Sequence, residues 1–302
     1  MTTIAGPRAK RPVNVGKIGM WGVMAVVVFI TLFPFWWVVR TALIPSPLTL
    51  TTATSLLPVQ STLDNFLRVM GLMDPAKAVA LGGAGQSINF IVALRNSVFF
   101  ALAITVSQVF FCAMGAYAFA RLQFPLRNIL FTLYISALTI PSIVMLIPNF
   151  ILMRQLGWIG TFQGMMSPYL LMTPFAVFFM RQFFLGVNRE IEEAGLIDGA
   201  SRFMIFWRII LPIAQPQVVT LGVITFIAAW NDYLWPLIVG GQNVNTRVLT
   251  VALGIFRSQT TYGAPDWAGL MSGTTLAIIP TILVFFIVGR RLLDSIGFTG
   301  IK

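Results

Sequence analysis

"NREIEEAGLIDGASRFMIFWRIILP", residues 188–212, is a hydrophilic island in an otherwise apolar chain, and it holds four of the nine acidic residues: Glu190, Glu192, Glu193 and Asp198. Residues 188–198 favour a helix. Asp198-Gly199 then signals a stop, with Gly199 suited to the left-handed position after a helix end. Ser201 can cap a second helix, in which Phe203, Phe206, Trp207 and Ile210 recur at i, i+3, i+4 and i+7. Pro212 interrupts the ladder. The expected structure is helix, turn, helix. It has two readings, a solvated loop at a membrane surface or an element that docks on protein. Interfacial helices usually carry a basic polar face, because the inner leaflet is anionic. This one is acidic, and Ile191, Ala194, Gly195, Leu196 and Ile197 form no clean stripe. Small residues at 194, 195, 199 and 200 would let another backbone come close, which favours a protein groove.

The surrounding composition places the island. Of 302 residues 57% are apolar and 10% charged, where a soluble domain carries about 25% charged residues. The membrane is the natural solvent for such a chain. A net charge of +11 could suggest nucleic acid, but the basic residues punctuate long apolar runs and form no stripe with interleaved aromatics. The fold class expected is an all-α membrane protein. A spanning helix needs about 20 apolar residues, and six windows qualify: 18–39, 96–119, 129–152, 164–184, 213–235 and 268–289. The first follows the basic tail 1–17 but is too long for a cleaved signal and lacks an A-x-A site.

With the N-terminus inside, the inner segments hold thirteen of the twenty Lys and Arg, and the longer outer loops the rest. That asymmetry predicts cytoplasmic termini, with a tail at 290–302. Outer loops then fall at 40–95 and 236–267, and the island, 185–212, lies in the cytoplasm between spans four and five. Trp36 and Trp37, and later Trp230, Tyr233 and Trp235, sit where an interfacial aromatic belt would. The single Cys112 reads as a small buried hydrophobe.

What the spans lack is equally informative. They contain no histidine and no buried acid pair, and Asp232 falls at the outer end of span five. Ionisable groups within a bilayer usually mark ion or proton pathways, so proton or sodium coupling and intramembrane acid–base or metal catalysis are disfavoured. Pro34, Pro141, Pro148, Pro174 and Pro280, with Asn96, Gln108, Asn149, Thr173, Thr225, Thr274 and Thr275, serve either helix packing or a pathway. No G-x-x-x-x-G-K-[ST] motif is present; "GGAGQS" at 82–87 has the glycines without the lysine. Energy for active transport would have to come from a partner. Trp230 to Trp235, "WNDYLW", admits two readings. One is an aromatic belt at a helix end; the other is a sugar-recognition stretch in which Asn231, Asp232, Tyr233 and Trp235 are candidate pathway residues.

The island resembles the cytoplasmic signature E-A-A-x-x-x-G-x(9)-I-x-L-P of binding-protein-dependent ABC importer permeases. It maps onto Glu193, Ala194, Gly195, Gly199, Ile209, Leu211 and Pro212, with Gly195 where the family usually has alanine. "TLFPFWWVVRTAL", "LRNSVFFALAITV", "AYAFARLQFP" and "WNDYLWPLIV" are similar to the MalG-type branch of carbohydrate importers, and the segment 41–94 is the least family-like. The resemblance implies a type I importer fold with its core at about 92–290 and a coupling helix containing Glu193 to Asp198. It implies a second homologous permease subunit, two cytoplasmic ABC ATPase subunits, an external solute-binding protein and a bacterial inner-membrane location. It also implies no cofactor on this chain, with ATP and Mg on the partner ATPase. The terminal "GFTGIK" is similar to the family tail that reaches toward the ATPase. A related polar solute, glycerol phosphate or a polyol, is the alternative cargo. A self-sufficient channel is a different class, but it has no use for an ATPase-docking helix.

Overall fold

The structure, a computed structural model, describes residues 15–82, 88–258, 260–261 and 264–297. The basic cluster Arg8, Lys10 and Arg11, most of the glycine-rich stretch and the terminal FTGIK lie outside the described residues. Among the described residues the fold is helical, apart from a two-residue antiparallel pairing of β1 (Thr260–Thr261) with β2 (Ala264–Pro265).

Helix α1 (Val15–Ala42) is apolar on every face, and its most apolar stretch buries nothing within the chain. Among the described residues it packs at its C-terminal end, against α15 (below). There the segment before α4 folds back as a 3-10 turn (Ser46–Leu48), α2 (Asp64–Val69) and α3 (Pro75–Ala80). A buried polar cluster holds it. The Asn65 amide donates to the carbonyls of Ala42, at 2.9 Å, and Ile44, at 2.7 Å. Arg68 is ion-paired with Asp266 and donates to the Ser46 hydroxyl at 2.9 Å. Ser46 in turn donates to Asp266 at 3.1 Å. Burial pushes the Arg68 guanidinium down to about 10, so it remains charged at neutral pH.

Helix α4 (Phe90–Arg121), 32 residues and so about 48 Å long, is the central post. Its buried positions Ile104, Gln108, Cys112, Ala116 and Ala120 recur every four residues along one face. Against it pack α8 (Pro174–Gly186) and α12 (Gln215–Trp230). Two apolar cores lie along the post. One gathers Phe100, Ile104, Trp230, Trp235 and Phe256. The other gathers Cys112, Tyr117, Met180, Phe184, Ile205 and Ile210.

Around the post the chain is repeatedly broken. The run expected as one span at 129–152 is not one straight helix but two, α5 (Arg127–Ser136) and α6 (Leu146–Gln155), each extended by a 3-10 turn and set at 94° to one another. The break falls at Ile140, whose φ −83°, ψ 117° is the extended conformation imposed by the following Pro141. The run at 164–184 is divided in the same way. It comprises the short α7 (Phe162–Met166) and α8, with non-helical residues 167–173 between them and an extended Thr173 before Pro174.

The run at 213–235 is also shorter than expected. A 79° bend at Ala214 opens it, and it stops at Trp230, three residues before α13 (Leu234–Gly240). Helix α14 (Leu249–Ser258) and the long α15 (Trp267–Gly297) complete the chain. Among the described residues three helices are thus long and apolar enough to cross a membrane, or up to five if each bent pair is one span.

The aromatic belt expected at Trp36, Trp37, Trp230, Tyr233 and Trp235 is overturned at two of these residues, while Trp36 and Tyr233 are exposed. Trp230 and Trp235 are buried, and their indole N–H groups donate to the carbonyls of Ala277, at 3.2 Å, and Met165, at 3.0 Å. An indole away from water needs such a partner, so these residues lock elements together.

Removing one partner of the Arg68–Asp266 pair strands a buried charge, at a cost of about 3–5 kcal/mol. Asp266→Leu should therefore lower the thermal midpoint of the purified protein, read by size-exclusion thermostability. The double variant Arg68→Met/Asp266→Leu should recover most of the loss.

Candidate functional site

The hairpin at 188–213 is built as its residues require. Asn188 caps α9 (Arg189–Ile197) by accepting from the Glu190 N–H at 3.1 Å. The helix ends in a Schellman turn: Ala200 N–H donates to the Gly195 carbonyl at 2.9 Å and Gly199 N–H to that of Leu196 at 3.0 Å. Gly199 has φ +80° with open space where a Cβ would stand, so its requirement is conformational and not steric. Ser201 accepts from the Met204 N–H at 3.2 Å and caps α10 (Arg202–Ile205).

A π-turn over Phe206–Ile210 follows, then α11 (Leu211–Ile213). The extra residue of the π-turn rotates the expected apolar face. Ile205, Phe206 and Ile210 are buried, whereas Phe203 and Trp207 are exposed. The hairpin rests on its own core through Gly195. A Cβ there would lie 3.1 Å from Ile209 Cδ1 and 3.3 Å from Ile205 Cγ1. The nine-residue spacing from Gly199 to Ile209 thus sets Ile209 against Gly195.

Glu192, which the signature does not single out, is the buried acid. It sits 3.0 Å from Arg121 Nε as an ion pair whose N–H points off the oxygen, and it accepts from the Tyr117 hydroxyl at 3.3 Å. Arg121 also donates to the carbonyls of Phe184 and Val187. The C-terminal end of α4 is therefore tied to α8 and α9 together. The alternation of Glu192 with exposed Ile191 and Glu193 was the available signal, but an acid in a polar island gives no hint of burial. The opposite face of α9 is free: Glu193, Ala194 and Asp198 are exposed, and Ile197 is 86% exposed. Leu211 is half-buried and Pro212 exposed at the foot of α12.

The second feature is a cavity of about 370 Å³ beside α4, within the range of ~300–1,000 Å³ usual for small-molecule sites. Three chain breaks converge on it: Ser142 from the 94° bend, Tyr169 from residues 167–173, and Asp232 from the gap after α12. Gln108 of α4, Phe175 of α8 and Thr225 of α12 complete its polar and aromatic lining. Irregular backbone at membrane depth is tolerated where it is buried in protein or lines a wet cavity.

The four candidate pathway residues divide here. Asp232 faces the cavity, while Tyr233 lines a separate one of about 510 Å³ with Arg257. Asn231 donates to Ile227 at 2.8 Å, and Trp235 is core. Of the residues undecided between packing and pathway, Gln108 does both. The Gln108 amide donates to the Tyr169 carbonyl at 2.9 Å and lies 3.5 Å from the Thr173 hydroxyl, while also lining the cavity.

At Gly195 an alanine gains about 1 kcal/mol of helix propensity, which offsets the small shift it asks of the Ile209 tip and of Ile205 Cγ1. Gly195→Ala should therefore leave the thermal midpoint nearly unchanged, whereas Gly195→Val should lower it and speed amide exchange over 189–210. Equal behaviour of the two variants would contradict this packing.

Comparison with known proteins supplies the family. A family model described as "Binding-protein-dependent transport system inner membrane component" matches residues 110–296. The sn-glycerol-3-phosphate transport system permease protein UgpE of Yersinia pestis bv. Antiqua is 35% identical over 69% of this chain and 73% of its own length. The arabinooligosaccharides transport system permease protein AraQ of Halalkalibacterium halodurans is 29% identical over 92% and 94%. The trehalose/maltose transport system permease protein MalG of Thermococcus litoralis is 28% identical over 90% and 92%. A solved bacterial ABC transporter involved in import of the acidic polysaccharide alginate superposes with TM-score 0.76 at 20% identity. That match covers 94% of this chain and 99% of the other, a likeness of fold. The chain belongs to the binding-protein-dependent transport system inner membrane component family of permease subunits.

Proposed function

We propose that this permease is the membrane subunit of an ATP-driven sugar importer, working by alternating access with a second permease subunit, two ATPase subunits and an external binding protein. As a member of its family it is a transport component and not an enzyme; ATP and Mg belong to the ATPase. The observation that carries the coupling reading is the two-sided α9. One side is locked, to α4 through Glu192 and to Ile205 and Ile209 through Gly195; the other offers Glu193, Asp198 and the bare Ile197 to a partner. An isoleucine 86% exposed among acids suits a protein cleft better than water or an anionic leaflet.

In this reading α9 is the coupling helix, Gly199 its turn, and Ile209, Leu211 and Pro212 the root that joins it to α12. Counting α8 with its preceding broken segment as one crossing gives six spans, with both termini cytoplasmic. The unpartnered α1 faces lipid or the second subunit. Relatives named for trehalose/maltose and arabinooligosaccharides support a carbohydrate cargo. Those named for sn-glycerol-3-phosphate support the polar-solute alternative.

Reconstitution with the partner subunits and binding protein tests this. A β-branched residue at φ +80° is strained. Gly199→Val should insert in the membrane yet lose solute-stimulated ATP hydrolysis about tenfold or more, if its turn seats α9. Glu193→Lys should reduce co-purification of the ATPase. Wild-type coupling and association in both variants would overturn the assignment of α9.

A further inference from the structure

The relatives leave the cargo divided between neutral sugars and an anionic phosphate ester, and the cavity beside α4 bears on that choice. Its lining offers one carboxylate (Asp232), one amide (Gln108) and the hydroxyls of Ser142, Tyr169 and Thr225, with the ring of Phe175 at its edge. None of its lining residues is lysine or arginine. Arg257 lines the other cavity, on the Tyr233 side of the break.

Phosphate recognition calls for guanidinium or ammonium donors, or backbone N–H groups turned toward the anion. Here the charge that lines the site is negative. The Tyr169 side chain and the N–H groups of Tyr233 and Trp235 lie beside Asp232, which is half-buried at the break and lines the cavity. Sugar hydroxyls, by contrast, donate to a carboxylate in charge-assisted hydrogen bonds and present C–H faces that pack on an aromatic ring. Field lines from one charge are concentrated in a low-dielectric cleft, so a single carboxylate acts over the whole cavity.

We propose that Asp232 is a charge selector in this half of the translocation path, admitting neutral polyhydroxylated solutes and disfavouring phosphorylated ones. The proposal rests on the pathway reading of the cavity and deepens it from "sugar or glycerol phosphate" to neutral sugar. It also separates Asp232 from its neighbours Asn231, Tyr233 and Trp235, which sequence alone groups with it.

The test reads the cavity's charge without needing the cargo. In the complete reconstituted transporter, Ser142→Cys places a thiol on the cavity wall; the native Cys112 is fully buried. Its reaction rates with a cationic and an anionic methanethiosulfonate of similar size are compared with those at an exposed reference, Thr51→Cys. The cation-to-anion rate ratio should exceed the reference by about tenfold. Adding Asp232→Asn, of the same shape, should bring it to the reference value, and Asp232→Glu should retain it.

Rates are read both without nucleotide and with ATP plus vanadate, because a site on an alternating-access path changes exposure between the two. An unchanged charge ratio in Asp232→Asn, with rates still nucleotide-dependent, would overturn the selector and leave the pathway intact. Rates indifferent to nucleotide would remove the pathway reading itself, and the selector with it.

Discussion

Backbone N–H and carbonyl groups that leave a helix inside a membrane must find partners within the protein, and in this permease α4 supplies them. Asn96 donates to the carbonyls of Asn245, at 2.8 Å, and Arg247, at 3.0 Å, and the Ser97 hydroxyl accepts from the Leu249 N–H at 2.7 Å. Midway, Ser107 donates to the Leu170 carbonyl, Gln108 to that of Tyr169, and Cys112 accepts from the Thr173 N–H at 3.4 Å. At the C-terminal end Arg121 donates to the carbonyls of Phe184 and Val187. One unbroken helix thus carries a ladder of polar side chains, and each rung answers a place where another element loses its own hydrogen bonds. Without the ladder those breaks would each leave unpaired polar groups at a cost of several kcal/mol.

The same post joins the two functional features. Gln108 borders the cavity and Arg121 holds Glu192 of α9, about 20 Å apart along one continuous helix. The root of the hairpin is different in kind: a π-turn, Pro212 and a 79° bend separate α10 from α12. Such irregularities mark hinges more often than rigid joints. The geometry therefore pairs a stiff connection through α4 with a compliant one through α12, both ending at the cavity where Gln108, Thr225 and Asp232 meet. A displacement of α9 has one path that transmits it and one that accommodates it.

Much of this was legible in the residues. Asn188, Gly199 and Ser201 announce the hairpin because caps and left-handed turns depend on local chemistry alone. The unbroken apolar run of α4 is equally plain. The breaks were legible too, but hydropathy windows hide them: Ile140 before Pro141 and Thr173 before Pro174 are disfavoured in the helical region whatever their hydrophobicity. The convergence of Ser142, Tyr169 and Asp232 on one cavity was not legible, since it depends on how three breaks stack around α4. Nor was the burial of Glu192. Its partner Arg121 is 71 positions away in the chain, and nothing local distinguishes it from exposed Glu193. The tryptophans misled for a related reason. Trp230 and Trp235 look like a membrane belt from composition, and only the distant carbonyls of Ala277 and Met165 make them core.

The central claim, that α4 holds the broken backbone around the cavity, is tested most directly by amide hydrogen exchange in the double variant Ser107→Ala/Gln108→Leu. Both changes remove rungs without emptying the core. The account predicts that exchange at residues 167–173 accelerates by about tenfold or more, as two net hydrogen bonds are lost, while α4 and the 189–197 helix remain protected. Unchanged exchange at 167–173 would contradict it.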